Sequence, residues 1–222
     1  MSNDSSQHEA ARFMGAVIAS VSHDLNNVLS TIDQVAGLIE DMMMASERGI
    51  AIDPSRLELV HARLDSQAKR GINTVRRLNT FGHAIDEETR CEQPVMVLQT
   101  LLVLMERMAS RRQVEIDFDP EQSCPQIETH PLDFYHLLYL ALLLAMDSHT
   151  DGGMVRVSVE PVEDRVSILI EGKQLKQAPG AGERIQIIHE VAKGLEAEVV
   201  LSDKEPDAIE LVLPHIVPAD ER

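Results

Sequence analysis

The chain has no tryptophan, two tyrosines and four phenylalanines among 222 residues, so aromatic side chains make up only 3%. An interior with so few large rings must be filled by Leu, Ile, Val, Ala and Met, which favours packed helices. Hydrophobic residues reach 44%, enough for a real core in one large or two small domains. Cysteine is nearly as scarce. Cys91 and Cys124 form no metal or redox motif, and such sparing use fits a reducing compartment, so the expected location is cytoplasmic. Long apolar runs are missing too. The longest, residues 137–146, is too short to cross a bilayer, and the polar stretch 1–9 lacks the basic and apolar regions of a signal peptide. Positive charge is in short supply: 20 Lys and Arg stand against 37 Asp and Glu, a formal net charge of -17. Phosphate contacts need clustered cations, so neither nucleic acid nor an anionic membrane is an expected partner. Lys69, Arg70, Arg76 and Arg77 form one local basic group, read as solvated charge at a place where a partner could dock.

What is present begins with a long helical pattern. Val21, Leu25, Val28, Ile32, Val35, Ile39 and Met42 recur at alternating spacings of four and three, the heptad signature of a helix in a bundle or coiled coil. The spacing predicts one helix over residues 6–47, ended by Gly49, and a second over 54–87, started at Asp53-Pro54. On the second, Leu57, Val60, Leu64, Ala68, Ile72, Val75 and Leu78 make the expected apolar face. Two long helices with a short connection form an antiparallel hairpin. One hairpin cannot cover two wide stripes, so a homodimer with a four-helix bundle is expected. The run Met42-Met43-Met44 is read as core and helix-end packing.

Composition changes after Arg90. Residues 95–111 and 131–148 read as helices, the latter almost wholly apolar and hence buried, with 185–195 as a third. Alternating segments at 114–118, 155–159, 166–170, 199–201 and 209–213 read as strands, with Asp151-Gly152-Gly153 as a turn. The order predicts a helical layer on a mixed sheet, hence an α+β chain of two parts: residues 1–90, a helical hairpin, and residues 91–222, an α/β sandwich.

Within the first helix lies Ser22-His23-Asp24-Leu25-Asn26-Asn27. His23 falls off the apolar stripe, Asp24 adjoins it, and Asn27 is one turn further along the same face. A solvent-facing imidazole beside a carboxylate suits a nucleophile, because the carboxylate can hold one ring nitrogen protonated and leave the other free to attack. The plain alternative is a solvated surface histidine. The segment resembles the phosphoacceptor box of two-component histidine kinases, Ser-His-Glu/Asp, two residues, then Asn or Thr, and apolar residues like Val28, Leu29 and Ile32 continue it. A second resemblance covers roughly residues 92–214: the order of elements is similar to the ATP-binding domain of the same kinases. Phe134 to Met146, with Asp147 and Asp151-Gly152-Gly153, looks like the helix that carries that family's N box.

The nucleotide-binding residues of that domain are replaced. Its paired asparagines would fall at Leu140 and Leu144, and leucine offers no oxygen to a hard cation. No asparagine occurs after Asn79. The first glycine box falls at Glu171-Gly172-Lys173-Gln174-Leu175, keeping an acid and losing glycines. The last falls at Gly180-Ala181-Gly182-Glu183-Arg184, only nine positions after Glu171, too close for the usual nucleotide lid. Taken alone, Gly180-Ala181-Gly182 reads as a turn before a helix, and His130, His136 and His149 match no metal-ligand spacing, which assigns them to surface or structure.

The resemblance therefore implies a degenerate kinase-like fold and two functions. One is a histidine phosphotransferase relaying a phosphoryl group between receiver-domain aspartates through His23, with Asp24 orienting the ring and Asn27 placed to align water for receiver dephosphorylation. The chain would need no cofactor of its own, since the Mg²⁺ belongs to the receiver. Partners would be response-regulator receiver domains, with a hybrid histidine kinase as a further candidate. The other function is a non-catalytic pseudokinase that binds and inhibits a receiver or a kinase. An intact Ser22-His23-Asp24 favours the first, and the lost nucleotide residues fit both.

Overall fold

The computed structural model describes residues 2–84, 86, 88–119, 121, 124–202 and 207–215, with side chains from residue 11 onward except at 84. Two long helices come first, α1 (Ser2–Glu47) and α2 (Pro54–Ala84). The connection is closed by Gly49 at φ 83°, and Asp53 accepts from the Ser55 amide at 2.9 Å and from its hydroxyl at 2.8 Å, satisfying the start of α2. The hydrogen bonds to Ser55 hold the Asp53 carboxyl below its ordinary range.

The α1 seam toward α2 is Val21, Val28, Val35 and Met42, each 8% exposed or less, with Leu25, Ile32 and Ile39 half-buried beside it. The α2 side differs from the expected face. Val60, Leu64, Ala68 and Leu78 are half-buried, but Gly71, Thr74 and Phe81 complete the inner surface, while Leu57, Ile72 and Val75 are 44%, 59% and 42% exposed. The reason is close approach: a Cβ on Gly71 would meet Val28 Cγ1 at 3.1 Å, so the helices turn their smallest residue inward and larger ones out. Of the methionine run, Met42 is buried and Met43 and Met44 are exposed.

The remaining elements form the α/β part: β1 (Arg90–Glu92), α3 (Pro94–Arg111), β2 (Val114–Phe118), β3 (Ile127–Thr129), α4 (Pro131–Asp147), β4 (Gly153–Val162), β5 (Arg165–Gly172), a 3₁₀ turn at Leu175–Gln177, α5 (Ala181–Gly194), β6 (Glu198–Ser202) and β7 (Asp207–Pro214). The chain is thus α+β, as expected, a helical hairpin joined to a helix-covered mixed sheet. The short pair β1–β3 and the 3₁₀ turn were not expected from sequence, because three-residue elements carry no periodicity. The main sheet has the order β2-β4-β5-β7-β6, parallel between β2 and β4 and antiparallel elsewhere. Val155, Val157 and Val159 of β4, Val166, Ile168 and Ile170 of β5, and Ile209, Leu211 and Leu213 of β7 turn one face to the core, at most 3% exposed. Helix α4 lies on that face. Leu137, Leu138, Ala141, Leu142, Leu144, Ala145 and Met146 are wholly buried, which explains its all-round hydrophobicity.

The core does not stop at the boundary between hairpin and sheet. Phe13, Val17 and Val21 of α1 and Phe81 of α2 belong to the same buried cluster as α3 and α4. Phe13 stacks on His136 with centroids 5.3 Å apart and an interplanar angle of 15°, and lies 4.8 Å from the Tyr139 ring. Phe81 meets Phe13 edge-on at 5.7 Å and Tyr135 edge-on at 4.9 Å. A chain with only six Phe and Tyr spends four of them on this joint. Aromatic pairs in such edge and stacked geometries add to simple area burial.

Candidate functional site

His23 sits on α1 nearly three turns past Phe13 of the aromatic joint, with Asp24 and Asn27 just beyond it. Val21 and Val28 flank them in sequence and are buried, which fixes how α1 is rotated. His23 lies five residues from Ile18, roughly 140° around the helix, so it faces away from the exposed stripe of Ile18 and Leu29. Its side chain is 45% exposed, open to a partner. The Asp24 side chain is 12% exposed, and its Oδ1 stands 3.9 Å from His23 Nδ1, a separation longer than a hydrogen bond. The polar atom nearest the ring is the Asn27 amide: Nδ2 lies 3.1 Å from Nδ1, across one helical turn. Thr31 Oγ1 donates to the Asn27 carbonyl at 2.9 Å, so the next turn is tied to the same residue.

The structure brings all three sequence-predicted residues together because they share one helix. It assigns them different places. His23 is open, Asp24 is tucked toward the interior, and Asn27 touches the ring.

The second region of interest is the groove where a nucleotide would sit if the kinase-like resemblance held in full. Leu140 and Leu144 are 5% and 0% exposed and present no oxygen. Arg12, Phe13, His136, Leu140, Leu143 and Arg184 are among the residues that line a cavity of about 180 Å³ between α1, α4 and α5. Arg184 Nη1 pairs with Asp147 Oδ2 at 3.0 Å, and Arg112 Nε donates to Asp147 Oδ1 at 2.6 Å. One carboxylate therefore clamps α3, α4 and α5 with two guanidiniums. The residues present do not fit a magnesium-nucleotide: the positions that would supply oxygens are leucines, and the acid at the helix end is already paired with two guanidiniums. Just past the same end of α4, His149 has an imidazole Nε2 buried without a hydrogen-bond partner, and burial together with Lys173 lowers its pKa. A Cβ on Gly153 would collide with His149 Nδ1, so glycine suits that position. His136 is 2% exposed and structural, in line with its sequence assignment.

Sequence reasoning missed Phe13, Phe81 and the Arg112–Asp147–Arg184 clamp. The first two had a signal: Phe13, Val17 and Val21 extend the seam backward at spacings of four, and Thr74, Leu78 and Phe81 extend it on α2. The clamp had none, since its members lie 35 and 37 positions apart. Among the described residues no cluster of three or more His, Cys, Asp or Glu could hold a metal, and no helix is long and apolar enough to cross a membrane.

No protein-family model matches this chain, and no curated protein matches it. Several solved structures are similar to it. The Acinetobacter baumannii histidine kinase AdeS is 14% identical over 88% of this chain and 98% of that one, with a TM-score of 0.47. A bacterial phosphotransferase is 13% identical over 91% of this chain and 96% of that one, also with a TM-score of 0.47. The catalytic domain of histidine kinase ThkA is 12% identical over 58% of this chain and 98% of that one, with a TM-score of 0.48. With TM-scores below 0.5, these likenesses carry no assignment of activity.

Proposed function

We propose that this chain is a histidine phosphotransferase that carries a phosphoryl group between receiver-domain aspartates in a two-component phosphorelay. The observation that carries the reading is the His23 imidazole, open on a long helix, with Asp24 and Asn27 at its Nδ1 edge. A receiver phospho-aspartate approaches the open side of the ring. His23 Nε2 attacks phosphorus, the bond to the aspartyl oxygen breaks, and the electron pair leaves on the receiver carboxylate. Asp24 stabilises the positive ring that forms, so catalysis is in-line positioning plus charge stabilisation. The receiver supplies the Mg²⁺, and the chain uses no nucleotide, in keeping with the buried leucines at 140 and 144. Asn27 also lies where an amide would align water for receiver dephosphorylation.

The working unit in this reading is a homodimer. Ile18 and Leu29 on α1, and Leu57, Ile72 and Val75 on α2, remain 42–61% exposed in the single chain and would be covered by a second hairpin. His23 faces away from the Ile18 and Leu29 stripe, so dimerisation leaves it accessible. The partners are receiver domains, with a hybrid kinase as a further candidate.

The second reading is a pseudokinase that binds a receiver or kinase and blocks it, with which the leucines at 140 and 144 are equally compatible. Incubation with phosphorylated receiver domains separates the two. Label should appear on wild-type protein and be absent from His23→Ala, whose exposed position leaves the fold intact. Receivers that bind without passing label would replace the relay with the inhibitory reading.

A further inference from the structure

We propose that the cavity between α1, α4 and α5 binds a small doubly charged oxyanion of the phosphate type, and that the bound ion fastens the hairpin to the α/β part. The chain carries a formal net charge of -17, so positive charge gathered at one cavity is not what composition alone would give. Arg12 lines it from α1 and Arg184 from α5, with Glu183 as the acid among the lining residues. Behind Arg184 the charge does not balance. Asp147 pairs with both Arg184 and Arg112, so two guanidiniums share a single negative charge. The Arg184 side chain is 18% exposed, so water screens that excess only in part. A guanidinium has five N–H donors in a planar fork, and the pair with Asp147 engages the Nη1 side, so donors remain for a second anion.

Backbone and ring donors lie at the same cavity. Gly180 lines it and immediately precedes α5, with φ 71° and no side chain to cap the first turn. The first amides of a helix have no acceptor inside it and point out of its N-terminal end. A Cβ added at Gly180 or Gly182 would meet no atom within 4 Å, so the approach to those amides is open. His136, from α4, adds an imidazole stacked on Phe13. Size and shape select the ligand. A drug-sized ligand takes a pocket of about 300–1,000 Å³, whereas this cavity holds about 180 Å³, room for an ion and not for a nucleotide. A tetrahedral dianion can turn oxygens toward α1 and α5 at once, whereas a planar carboxylate fits one guanidinium fork and leaves the other wall uncovered. An ion held by Arg12 and Arg184 ties the first helix to α5 beside the aromatic joint. Arg12 is eleven residues before His23, about 16 Å along α1, so this site is separate from the phosphoacceptor.

The test is thermal unfolding of the full chain by circular dichroism at about pH 8, where phosphate is doubly charged. Sodium phosphate replaces sodium chloride at constant ionic strength. The melting temperature should rise and then level off as the site fills, because an ion that binds only the folded state shifts unfolding by mass action. Stabilisation by salt exclusion rises without levelling off and ignores Arg12. Arg12→Gln, a change at an exposed helix position, should weaken phosphate about tenfold or more, the factor that a charge-assisted hydrogen bond gives. Glu183→Gln removes the lining acid and should tighten it. Sodium acetate should give no saturable rise, and His23→Ala should respond to phosphate as wild type does. The proposal is overturned by a wild-type response that never saturates, by unchanged affinity in Arg12→Gln, by weaker binding in Glu183→Gln, or by acetate acting as well as phosphate. Loss of the response in His23→Ala would place the ion at the phosphoacceptor and overturn it too.

Discussion

Replacing Phe13 with alanine should unfasten the hairpin from the sheet. Phe13 is 1% exposed and touches three rings, those of Phe81, His136 and Tyr139. Truncating a buried phenylalanine costs about 3–5 kcal/mol, because the transfer energy of the lost ring adds to the cavity left behind. The site is poorly able to collapse, since α1 is held by Val17 and Val21 on one side and the rigid α4 on the other. A natural domain has about 5–15 kcal/mol in all, so this one change removes a large share. With a urea slope of about 2 kcal/mol per molar, the midpoint should fall by roughly 1.5–2.5 M. The chain has no tryptophan, so the assay is circular dichroism of the helices. Phe13→Leu, which refills most of the volume, should recover much of the loss. Phosphoramidate labelling of His23 should survive in folded Phe13→Ala protein, because His23 is ten residues along α1, roughly 15 Å away. A midpoint shift below about 0.3 M would refute the idea that the aromatic joint holds the two parts in one core.

Ile72→Glu, at a site 59% exposed in the single chain, should turn a dimer into a monomer by light scattering while leaving the circular dichroism spectrum unchanged; a wild-type monomer at micromolar concentration would remove the basis for the four-helix bundle. Tyr135 gives a pH test. Burial pushes its phenol up to about 12 from an ordinary 10, so the folded state favours the neutral form. That contribution is complete below pH 10 and is lost as pH rises from about 10 to 12, up to about 2–3 kcal/mol, and Tyr135→Phe should flatten the alkaline fall of the melting temperature. Calorimetry with ATP and magnesium should show no binding heat at micromolar protein, and a micromolar affinity would contradict the reading of the groove at Leu140 and Leu144. Asp147→Asn should destabilise the α/β part by about 2 kcal/mol or more in urea unfolding, because it strips the shared carboxylate from Arg112 and Arg184; a change under about 0.5 kcal/mol would show the clamp to be solvated.

Local periodicity made most of the fold readable. The heptad of α1 and the start of α2 at Asp53-Pro54 follow from spacing and cap chemistry, and the alternation in β4, β5 and β7 follows from a sheet with one buried face. The grouping of His23, Asp24 and Asn27 was also fixed by sequence, because residues one and four apart on a helix are neighbours whatever the rest of the chain does. Tertiary structure decided what a one-dimensional pattern cannot encode. Which face of α2 turns inward depended on Gly71 meeting Val28, not on hydrophobicity, so Ile72 and Val75 ended outside. The fusion of hairpin and sheet depended on Phe13 and Phe81 finding Tyr135, His136 and Tyr139, residues more than fifty positions away. The contact at His23 Nδ1 came from the Asn27 amide while Asp24 stood further off, a choice made by side-chain rotamers and by the burial of Asp24. Spacing along one helix is set by the backbone hydrogen-bond pattern, whereas partners across the fold are chosen by shape, and shape exists only once the chain has folded.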